Sequence, residues 1–383
     1  MNNVYINDVQ KFMPNEPVTN KNIEEYLGYI GGKRSKVKNI VLRSNGIKSR
    51  YYVLEKGTQK PLFTNAQLCA NAINKLVTNR DDFSLDDIEC LSCGTTSPDQ
   101  LMPGHTLMVQ GELKIDGIET LSASGICLSG VNALKYLYYG IKSGEISTGV
   151  SCGSEAASPI LCARNFKKES DHLIEELEKN NSIAFEKDFL RWMLSDGAGA
   201  MKVQNKPNKE KLSLKIEFID VLSYAGNMPV CMYSGLDILA DGTNVSWRAY
   251  EQEEIMDKSL LSVAQDVKLL NENIVNYTVT KPLKEIIKKH NLDASSYTYF
   301  LPHHSSMYFR DKLYQGLIEA DFEIPYEKWF TNLVTHGNTG SASIYIMLEE
   351  LFNNQKLNKG EKILCYIPES GRFSTAFMSL EVV

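Results

Sequence analysis

Long apolar runs are missing from this sequence of 383 residues. No uncharged apolar stretch reaches the roughly 18 residues that a membrane-spanning helix needs, and residues 1–8 lack the basic start and apolar core of a secretory leader. An excess of positive charge is missing too, because 41 Lys and Arg stand against 47 Asp and Glu. The resulting net charge of −6 argues against an extended phosphate-binding surface. We therefore expect a cytoplasmic protein that has neither a membrane nor a nucleic acid as its partner.

Grouped cysteines are equally scarce. The eight cysteines are scattered through hydrophobic surroundings and form no disulfide framework, so we expect reduced thiols. Cys90 and Cys93 form a C-x-x-C motif, but no second pair with zinc-ligand spacing follows, and residues 88–93 have the character of a buried strand. We therefore predict neither a metal nor a cofactor. The chain length allows one large or two ordinary domains with a buried core.

One stretch, residues 119–144, combines an extended segment, a Ser-Gly break, a cysteine and a helix. Its first five residues are extended in character, and the apolar positions that follow Cys127 recur at helical spacing. Cys127 therefore stands at the N-terminal end of a predicted helix, where unpaired N–H groups and the helix dipole favour a thiolate. This position predicts an activated nucleophile, although a free cysteine is also commonly a small buried hydrophobe.

The rest of the chain alternates between predicted strands and helices. Predicted strands lie within 4–14 and at 88–93, 146–153, 196–203, 214–219, 297–301, 363–368 and 374–382, and helical patterns lie at 22–27, 65–77, 102–113, 165–189 and 282–290. A long amphipathic region lies at 254–270. A faint repeat relates 121–155 to 333–370, since each can be divided into strand, turn, helix, a Gly-Glu turn and strand. Two copies of one α/β unit predict a duplicated architecture. The active cleft would lie where equivalent turns of the two halves meet.

Polar residues occupy three predicted turns that could meet in this cleft: Cys127, His303 and Asn338. A thiolate can attack a thioester and hold its acyl group, while a neutral histidine N–H and an asparagine amide can donate to a forming oxyanion. Asparagine cannot act as a base, so this set suits a carbon nucleophile generated by decarboxylation. Each residue has an ordinary alternative role. His303 could fill the core while His304 takes the functional role, and Asn338 could serve turn geometry alone.

Six motifs in this order resemble the β-ketoacyl-acyl carrier protein synthase III family, and together they span nearly the whole chain. The motifs lie at 40–43 with 46–47, 94–99, 124–127, 196–200, 301–303 and 336–343. The resemblance implies an α/β chain with the thiolase fold, in which two duplicated halves build five αβαβα layers. The halves are expected at 1–211 and 212–383, and the resemblance also implies a homodimer.

The same resemblance implies roles for the residues of the site. Cys127 is expected to be the acyl-accepting nucleophile, while His303 and Asn338 support decarboxylation and bind the enolate oxygen. His304 then moves to a supporting position, where relatives have glutamine. The oxyanion hole is expected to consist of the backbone N–H groups of Cys127 and Gly371.

Two departures from the family pattern narrow the expected substrates. Asn39 stands where relatives that start from acyl-coenzyme A carry a tryptophan, which favours an acyl carrier protein thioester over a coenzyme A thioester. The loop 368–373 replaces a triple glycine. Together with the segments 45–52 and 189–197, this loop resembles the subgroup that makes dialkylresorcinol and cyclohexanedione precursors from a β-ketoacyl thioester. Glu369 or Arg372 is then a candidate for an additional proton transfer or for binding a substrate carboxylate.

The sequence thus predicts a ketosynthase that condenses an acyl group on Cys127 with a β-ketoacyl or malonyl thioester and then closes a ring. Three alternatives stay open at this point. The first is an ordinary β-ketoacyl-acyl carrier protein synthase III with a linear product. The second is a thiolase-like reaction with Cys365 as a second cysteine, and the third is a non-catalytic partner subunit of another synthase.

Overall fold

A computed structural model of the chain describes residues 2–32, 34–35, 38–78, 82–166 and 190–383. Nine strands of these residues form one mixed sheet, which determines where the functional turns lie. The strands are β1 (Tyr5–Phe12), β2 (Val18–Thr19), β3 (Ser49–Arg50), β4 (Cys90–Thr95), β5 (Glu119–Ser124), β6 (Thr148–Glu155), β7 (Gly197–Gln204), β8 (Leu214–Ser223), β9 (Met232–Tyr233), β10 (Leu236–Ile238), β11 (Asn244–Ser246), β12 (Ala264–Gln265), β13 (Tyr299–Pro302), β14 (Lys362–Glu369) and β15 (Ser374–Val382). The order in the large sheet is β13-β14-β15-β8-β1-β7-β6-β4-β5.

Helices follow or precede most of these strands. They are α1 (Ile23–Leu27), α2 (Lys38–Asn45), α3 (Asn65–Val77), α4 (His105–Leu113), α5 (Ser129–Ser143), α6 (Gln252–Asp257), α7 (Val267–Val275), α8 (Lys281–His290), α9 (Arg310–Glu319), α10 (Leu333–His336) and α11 (Ser343–Asn354). A π-helical segment, Asn276–Thr280, joins α7 to α8. No helix within the described ranges combines the length and the apolar character that crossing a membrane requires.

The large sheet repeats one pattern of strand pairing. In the first part, β1 is antiparallel to β7, β7 is antiparallel to β6, and β6 is parallel to β4. In the second part, β8 is antiparallel to β15, β15 is antiparallel to β14, and β14 is parallel to β13. The two parts join where β1 pairs with β8 at two positions. This matching order is the duplication that the sequence repeat predicted.

Apolar clusters on both faces of the sheet show the layers. Helices α3 and α4 pack on one face of the first part, and α8 and α9 pack on one face of the second part. Helices α5 and α11 share a central cluster with strands of both parts. Strand side chains alternate between the faces, so that Ala198 and Ala200 lie in the outer cluster and Met201 and Val203 in the central one. The five predicted αβαβα layers are therefore confirmed.

The amphipathic region 254–270 consists of three elements, and one predicted element is wrong. Helix α6 ends at Asp257, β12 follows, and Asp266 begins α7 by accepting a hydrogen bond from Leu269 N at 2.8 Å. The strand expected at the start of 333–370 is helix α10, whose last bond runs from Gly337 N to Leu333 O at 2.9 Å. Most of the helix predicted for 165–189 lies outside the described residues.

Candidate active site

The predicted strand, turn and helix around Cys127 are confirmed. Strand β5 ends at Ser124, α5 begins at Ser129, and Cys127 lies in the turn between them. The turn is closed by a hydrogen bond from Ser129 N to Ile126 O at 3.1 Å. The thiol is consequently held at the N-terminal end of a fifteen-residue helix.

A carboxylate binds the amide groups on either side of Cys127. The backbone N–H groups of Ile126 and Leu128 both donate to Oε2 of Glu369, each at 3.2 Å. Glu369 is the last residue of β14, in the second half of the chain. The second half therefore brings negative charge to the helix end where the first half carries its thiol.

The prediction that the helix end favours a thiolate is wrong for the resting site. Burial raises the pKa of the Cys127 thiol, and the nearby carboxylates of Glu369 and Glu155 raise the pKa further. The helix end is present, but negative neighbours oppose its effect on the sulfur. The resting nucleophile is consequently a neutral thiol at neutral pH.

Two adjacent histidines follow β13. His303 continues the pairing of β13 with β14, since its backbone N–H donates to Tyr366 O at 2.8 Å, and the residue is 4% exposed. Burial lowers the pKa of His303 to about 3, with a smaller contribution from His304, and burial also lowers the pKa of His304 to about 4. His304 Nδ1 lies 3.1 Å from the carbonyl oxygen of Pro302. Both imidazoles are therefore neutral at neutral pH, the form that can donate to an oxyanion without carrying charge.

Asn338 lies just after α10, in a turn that the first half holds in place. Its backbone N–H donates to Met193 O at 2.9 Å, and its carbonyl oxygen accepts from Ser195 N at 2.8 Å. Its side-chain Oδ1 accepts a hydrogen bond from Gly340 N at 3.0 Å. With the amide oxygen engaged in this way, the NH2 group is the part of the side chain that can donate to a substrate.

A cavity of about 450 Å³ brings the predicted triad together. Cys127, His303 and Asn338 all line this cavity, and so do His304 and Glu155. Most of the remaining wall is apolar and comes from both halves of the chain: Ile160, Leu161, Leu190, Met193, Leu194, Met232, Val263, Leu270, Ile274, Val275, Val279, Phe309 and Leu313. The site can thus present a thiol and two neutral donors to an acyl chain in an apolar environment.

The loop after β14 places the remaining predicted residues, Glu369, Gly371 and Arg372, in different surroundings. The cavity lining includes Ser370 but not Glu369, Gly371 or Arg372 among the described residues of this loop. Glu369 accepts hydrogen bonds from the turn 125–128, which carries Cys127 and is named the nucleophile turn. A Cβ on Gly371 would lie 2.9 Å from Cδ1 of Ile126 in the same turn. The guanidinium of Arg372 donates through Nε and Nη2 to the carbonyl oxygen of residue 228, at 3.0 and 2.9 Å. Of the two candidates for proton transfer, only Glu369 reaches the nucleophile turn.

Glu155, at the end of β6, is a site residue that the sequence analysis missed. Its carboxylate accepts hydrogen bonds from Thr96 N, Thr96 Oγ1, Ser97 Oγ and Ser341 N, at 3.0, 2.6, 2.8 and 3.2 Å. The residue is almost fully buried and ties the first half to the turn after Asn338. An acidic residue directly after a buried predicted strand was the signal for it, because a buried carboxylate needs several donors.

Comparison with known proteins agrees with this geometry. Residues 287–367 match the family model described as 3-oxoacyl-[acyl-carrier-protein (ACP)] synthase III C terminal. The β-ketoacyl-[acyl-carrier-protein] synthase III of Clostridium perfringens (strain SM101 / Type A) is 25% identical over 368 residues, which cover 95% of either chain. The chain is thus similar to β-ketoacyl-[acyl-carrier-protein] synthase III enzymes over nearly its whole length, and it is a condensing ketosynthase.

Solved structures place the ketosynthase in the thiolase fold. A variant of OleA from Xanthomonas campestris superposes with a TM-score of 0.74 and 18% identity, over 99% of this chain and 98% of that one. The β-ketoacyl-[acyl carrier protein] synthase III from Thermus thermophilus superposes with a TM-score of 0.70 and 18% identity, over 98% of either chain. At these identities the likeness shows the fold, and the predicted fold class is confirmed.

The other cysteines of the ketosynthase lie away from this chemistry. Cys127 is the only cysteine among the described residues that line the cavity. Cys365, the candidate for a thiolase-like reaction, is buried in the central cluster, where burial raises the pKa of its thiol. Cys90 and Cys93 are three residues apart on β4 and enter different clusters, because a strand turns such a pair to opposite faces. Within the described ranges, no group of His, Cys, Asp and Glu is arranged to hold a metal ion.

Proposed function

We propose that this ketosynthase uses Cys127 to carry an acyl group and uses His303 and Asn338 to stabilise the enolate that attacks it. The observation that carries this proposal is one cavity lined by all three residues, with the thiol supplied by the first half and both donors supplied by the second. A merely structural set of three residues would have no reason to meet at one apolar cavity. The neutral state of His303 supports its assignment as a donor.

The first half-reaction transfers the acyl group. The sulfur of Cys127 attacks the carbonyl carbon of an acyl thioester, a carbon–sulfur bond forms, and the carrier thiol leaves with the proton that Cys127 gave up. The negative oxygen of the tetrahedral intermediate would accept from the backbone N–H groups of Cys127 and Gly371. The packing of Gly371 against the nucleophile turn supports this oxyanion hole.

The second half-reaction forms the carbon–carbon bond. A malonyl thioester loses carbon dioxide and leaves an enolate, whereas a β-ketoacyl thioester loses a proton from the carbon between its two carbonyl groups. His303 and Asn338 donate to the enolate oxygen, the enolate carbon attacks the acyl group, and Cys127 leaves as the thiolate. With a β-ketoacyl donor an additional proton must be moved, and the placement of Glu369 at the nucleophile turn makes Glu369, rather than Arg372, the candidate.

We propose a β-ketoacyl thioester as the second substrate, followed by ring closure to a cyclohexanedione or dialkylresorcinol precursor. Two features support this choice: the loop 368–373, which resembles the ring-forming subgroup, and apolar walls from both halves that offer room for two chains beside one thiol. The condensation product carries several carbonyl groups close to acidic C–H bonds, the arrangement from which a ring closes. The side chain at position 39 favours carrier-protein thioesters, because it is an asparagine and not an aromatic ring.

We further propose that the ketosynthase is a homodimer joined at β5. This strand is one of the two edges of the large sheet formed by the described residues, and a sheet edge is open to pairing with another copy. Large apolar side chains accompany it: Leu101 and Met102 are 75% and 84% exposed, and Leu107 and Tyr139 are also exposed. A cluster of exposed apolar side chains beside a sheet edge is typical of a protein interface.

The test is a mass measurement followed by product analysis. The enzyme is incubated with a panel of acyl carrier protein thioesters, and an acyl adduct on the Cys127 peptide is expected. Malonyl and β-ketoacyl carrier thioesters are then added separately. A cyclic product from the β-ketoacyl donor supports ring formation, while only open-chain β-ketoacyl products would replace it with the linear reaction. Absence of any adduct across the panel would remove the ketosynthase mechanism through Cys127.

A further inference from the structure

We propose that Glu369 is the proton acceptor for the Cys127 thiol, so that this ketosynthase activates its nucleophile with a carboxylate. The inference deepens the proposed function and rests on Cys127 being the acyl-accepting group. It assigns to Glu369 a step in the first half-reaction, before any carbon nucleophile is present.

The position of the carboxylate carries the inference. Glu369 Oε2 accepts from the amide groups immediately before and after Cys127, each at 3.2 Å. These two hydrogen bonds hold the carboxylate against the backbone on either side of Cys127. A Cβ built on Gly125 would lie 3.6 Å from the same Oε2, an ordinary contact distance, which shows that the carboxylate packs against this turn.

The site carries one negative charge both before and after the proton transfer, which is why a carboxylate can accept the thiol proton. In the resting site the negative charge lies on Glu369, where two N–H groups and the end of α5 stabilise it. When the proton moves from Sγ to the carboxylate, an S–H bond breaks, an O–H bond forms, and the same charge moves to the sulfur at the same helix end. No new ion pair has to be created in the buried site. The carboxylic acid can afterwards return the proton to the departing carrier thiolate.

The other titratable groups at the turn are poorer acceptors. Burial lowers the pKa of His303 to about 3 and that of His304 to about 4, so neither imidazole takes up a proton easily. Glu155, which lines the cavity from β6, already accepts four hydrogen bonds, so both of its carboxylate oxygens are engaged. Burial raises the pKa of Glu369, which makes that carboxylate the readier base. The guanidinium of Arg372 donates to a backbone carbonyl oxygen instead of to Glu369.

The test compares Glu369→Gln with the wild-type enzyme in two assays. The first is the rate at which iodoacetamide alkylates Cys127 between about pH 6 and 9, followed on the Cys127 peptide. If the thiol and the carboxylate share one proton, the fraction of Cys127 present as thiolate does not change with pH as long as the pair holds that proton. The wild-type alkylation rate should then be independent of pH over part of this range. Glutamine cannot take the proton, and the variant's rate should rise about tenfold per pH unit below the thiol pKa. The second assay is turnover with acyl thioesters, expected to fall about 10²-fold.

Opposite changes in the two assays are the signature of a proton acceptor. Near pH 8 the variant should be alkylated faster than the wild type, since a repelling charge is gone, yet it should turn over more slowly. Glu369→Asp keeps a carboxylate and should keep the pH-independent part of the alkylation rate with partial turnover. Glu381→Gln removes a carboxylate that pairs with Lys215 at 3.7 Å on the surface and should match the wild type in both assays.

Two results would overturn the assignment. One is a wild-type alkylation rate with the same slope as that of Glu369→Gln at every pH. The other is turnover of Glu369→Gln within about threefold of the wild type, which is far less than removal of a general base costs. Alkylation needs no substrate, so these results are distinct from failure of the proposed function, which would appear as a wild-type enzyme that forms no acyl adduct.

Discussion

The two halves of this ketosynthase share one pattern of strand pairing but present different chemistry at the cavity. The first half ends its outer strand in a turn that carries Cys127, before α5. The second half has helix α10 where the repeat predicted a strand, and its turn carries Asn338 as a neutral donor before α11. The comparison teaches that two equivalent frameworks can present different side chains to one cavity, a thiol from the first half and an amide from the second.

The largest expected effect comes from substituting one cysteine in each half, Cys127 in the first and Cys365 in the second. Cys127→Ala should abolish the acyl adduct and lower turnover by about 10⁴-fold or more, because the nucleophile is gone. Cys365→Ala, in the second half, should retain turnover and lose about 1 kcal/mol of stability through a small cavity. Intact mass, turnover and urea unfolding check both variants. Loss of turnover in Cys365→Ala would instead support a thiolase-like reaction.

A smaller effect should separate acylation from enolate formation. Asn338→Asp replaces an NH2 donor with a carboxylate oxygen, which repels the forming oxyanion. We expect Cys127 still to be acylated, while carbon dioxide release from a malonyl donor, or condensation with a β-ketoacyl donor, falls by about 10²–10³-fold. Single-turnover measurement of each half-reaction checks this division. An equal loss in both half-reactions would mean that the two halves of the chain do not divide the work.

The next effect concerns β5, the edge strand that extends the first half of the sheet beyond the shared pairing pattern. Met102→Glu would place two charges in the proposed dimer interface, and burial of one such apolar side chain is worth about 1.5–3 kcal/mol. We expect dimer dissociation to become easier by about 10²-fold or more, measured by sedimentation across a dilution series. Ile318→Glu, which is also an exposed apolar position but lies on α9, is the matched control. A wild-type chain that is monomeric at every concentration would remove the interface.

The smallest expected effect concerns the protonation of His304, a second-half residue at the cavity, and its contribution to stability. The pKa of His304 is lowered from 6.5 to about 4, so its contribution to stability is complete above about pH 6.5 and is lost as the pH falls toward 4. His304→Gln can keep a donor to Pro302 O but cannot titrate. Between pH 7 and 5 the wild type should lose about 2 kcal/mol more unfolding free energy than the variant. Urea unfolding of both proteins measures this difference. An unfolding free energy that changes equally with pH in the wild type and in the variant would contradict a neutral buried imidazole.

Sequence patterns predicted elements whose signals are local. Helix α3 was predicted at its observed bounds, because apolar spacing agrees with a capping box between Thr64 and Gln67. The amphipathic pattern over 254–270 did not divide the region into elements, because the division depends on the left-handed residue Ser259 and on the pairing of β12 with β9. The prediction failed at 333–336, where four residues are too few for a period to distinguish a strand from a helical turn.

The motifs predicted the site residues better than they predicted the electrostatics of the site. Cys127, His303 and Asn338 meet at the cavity as the resemblance implied, and their roles in the reaction stay predictions. The raised pKa of Cys127 was not foreseen, since it depends on burial of the thiol and on Glu369 and Glu155, which approach from other strands. Glu369 was a candidate from sequence, but nothing in the loop 368–373 separated it from Arg372.

The sequence by itself determined a cysteine between a strand and a helix, a repeated α/β unit and the likeness to condensing enzymes, because these features depend on residues near each other in the chain. Only the tertiary structure decided what charge that cysteine meets. Residues 126 and 369 are 243 positions apart, and the fold brings the carboxylate of one to the amide of the other at 3.2 Å. Electrostatic interactions act through distance in space, so the protonation state of the nucleophile is a property of the folded molecule.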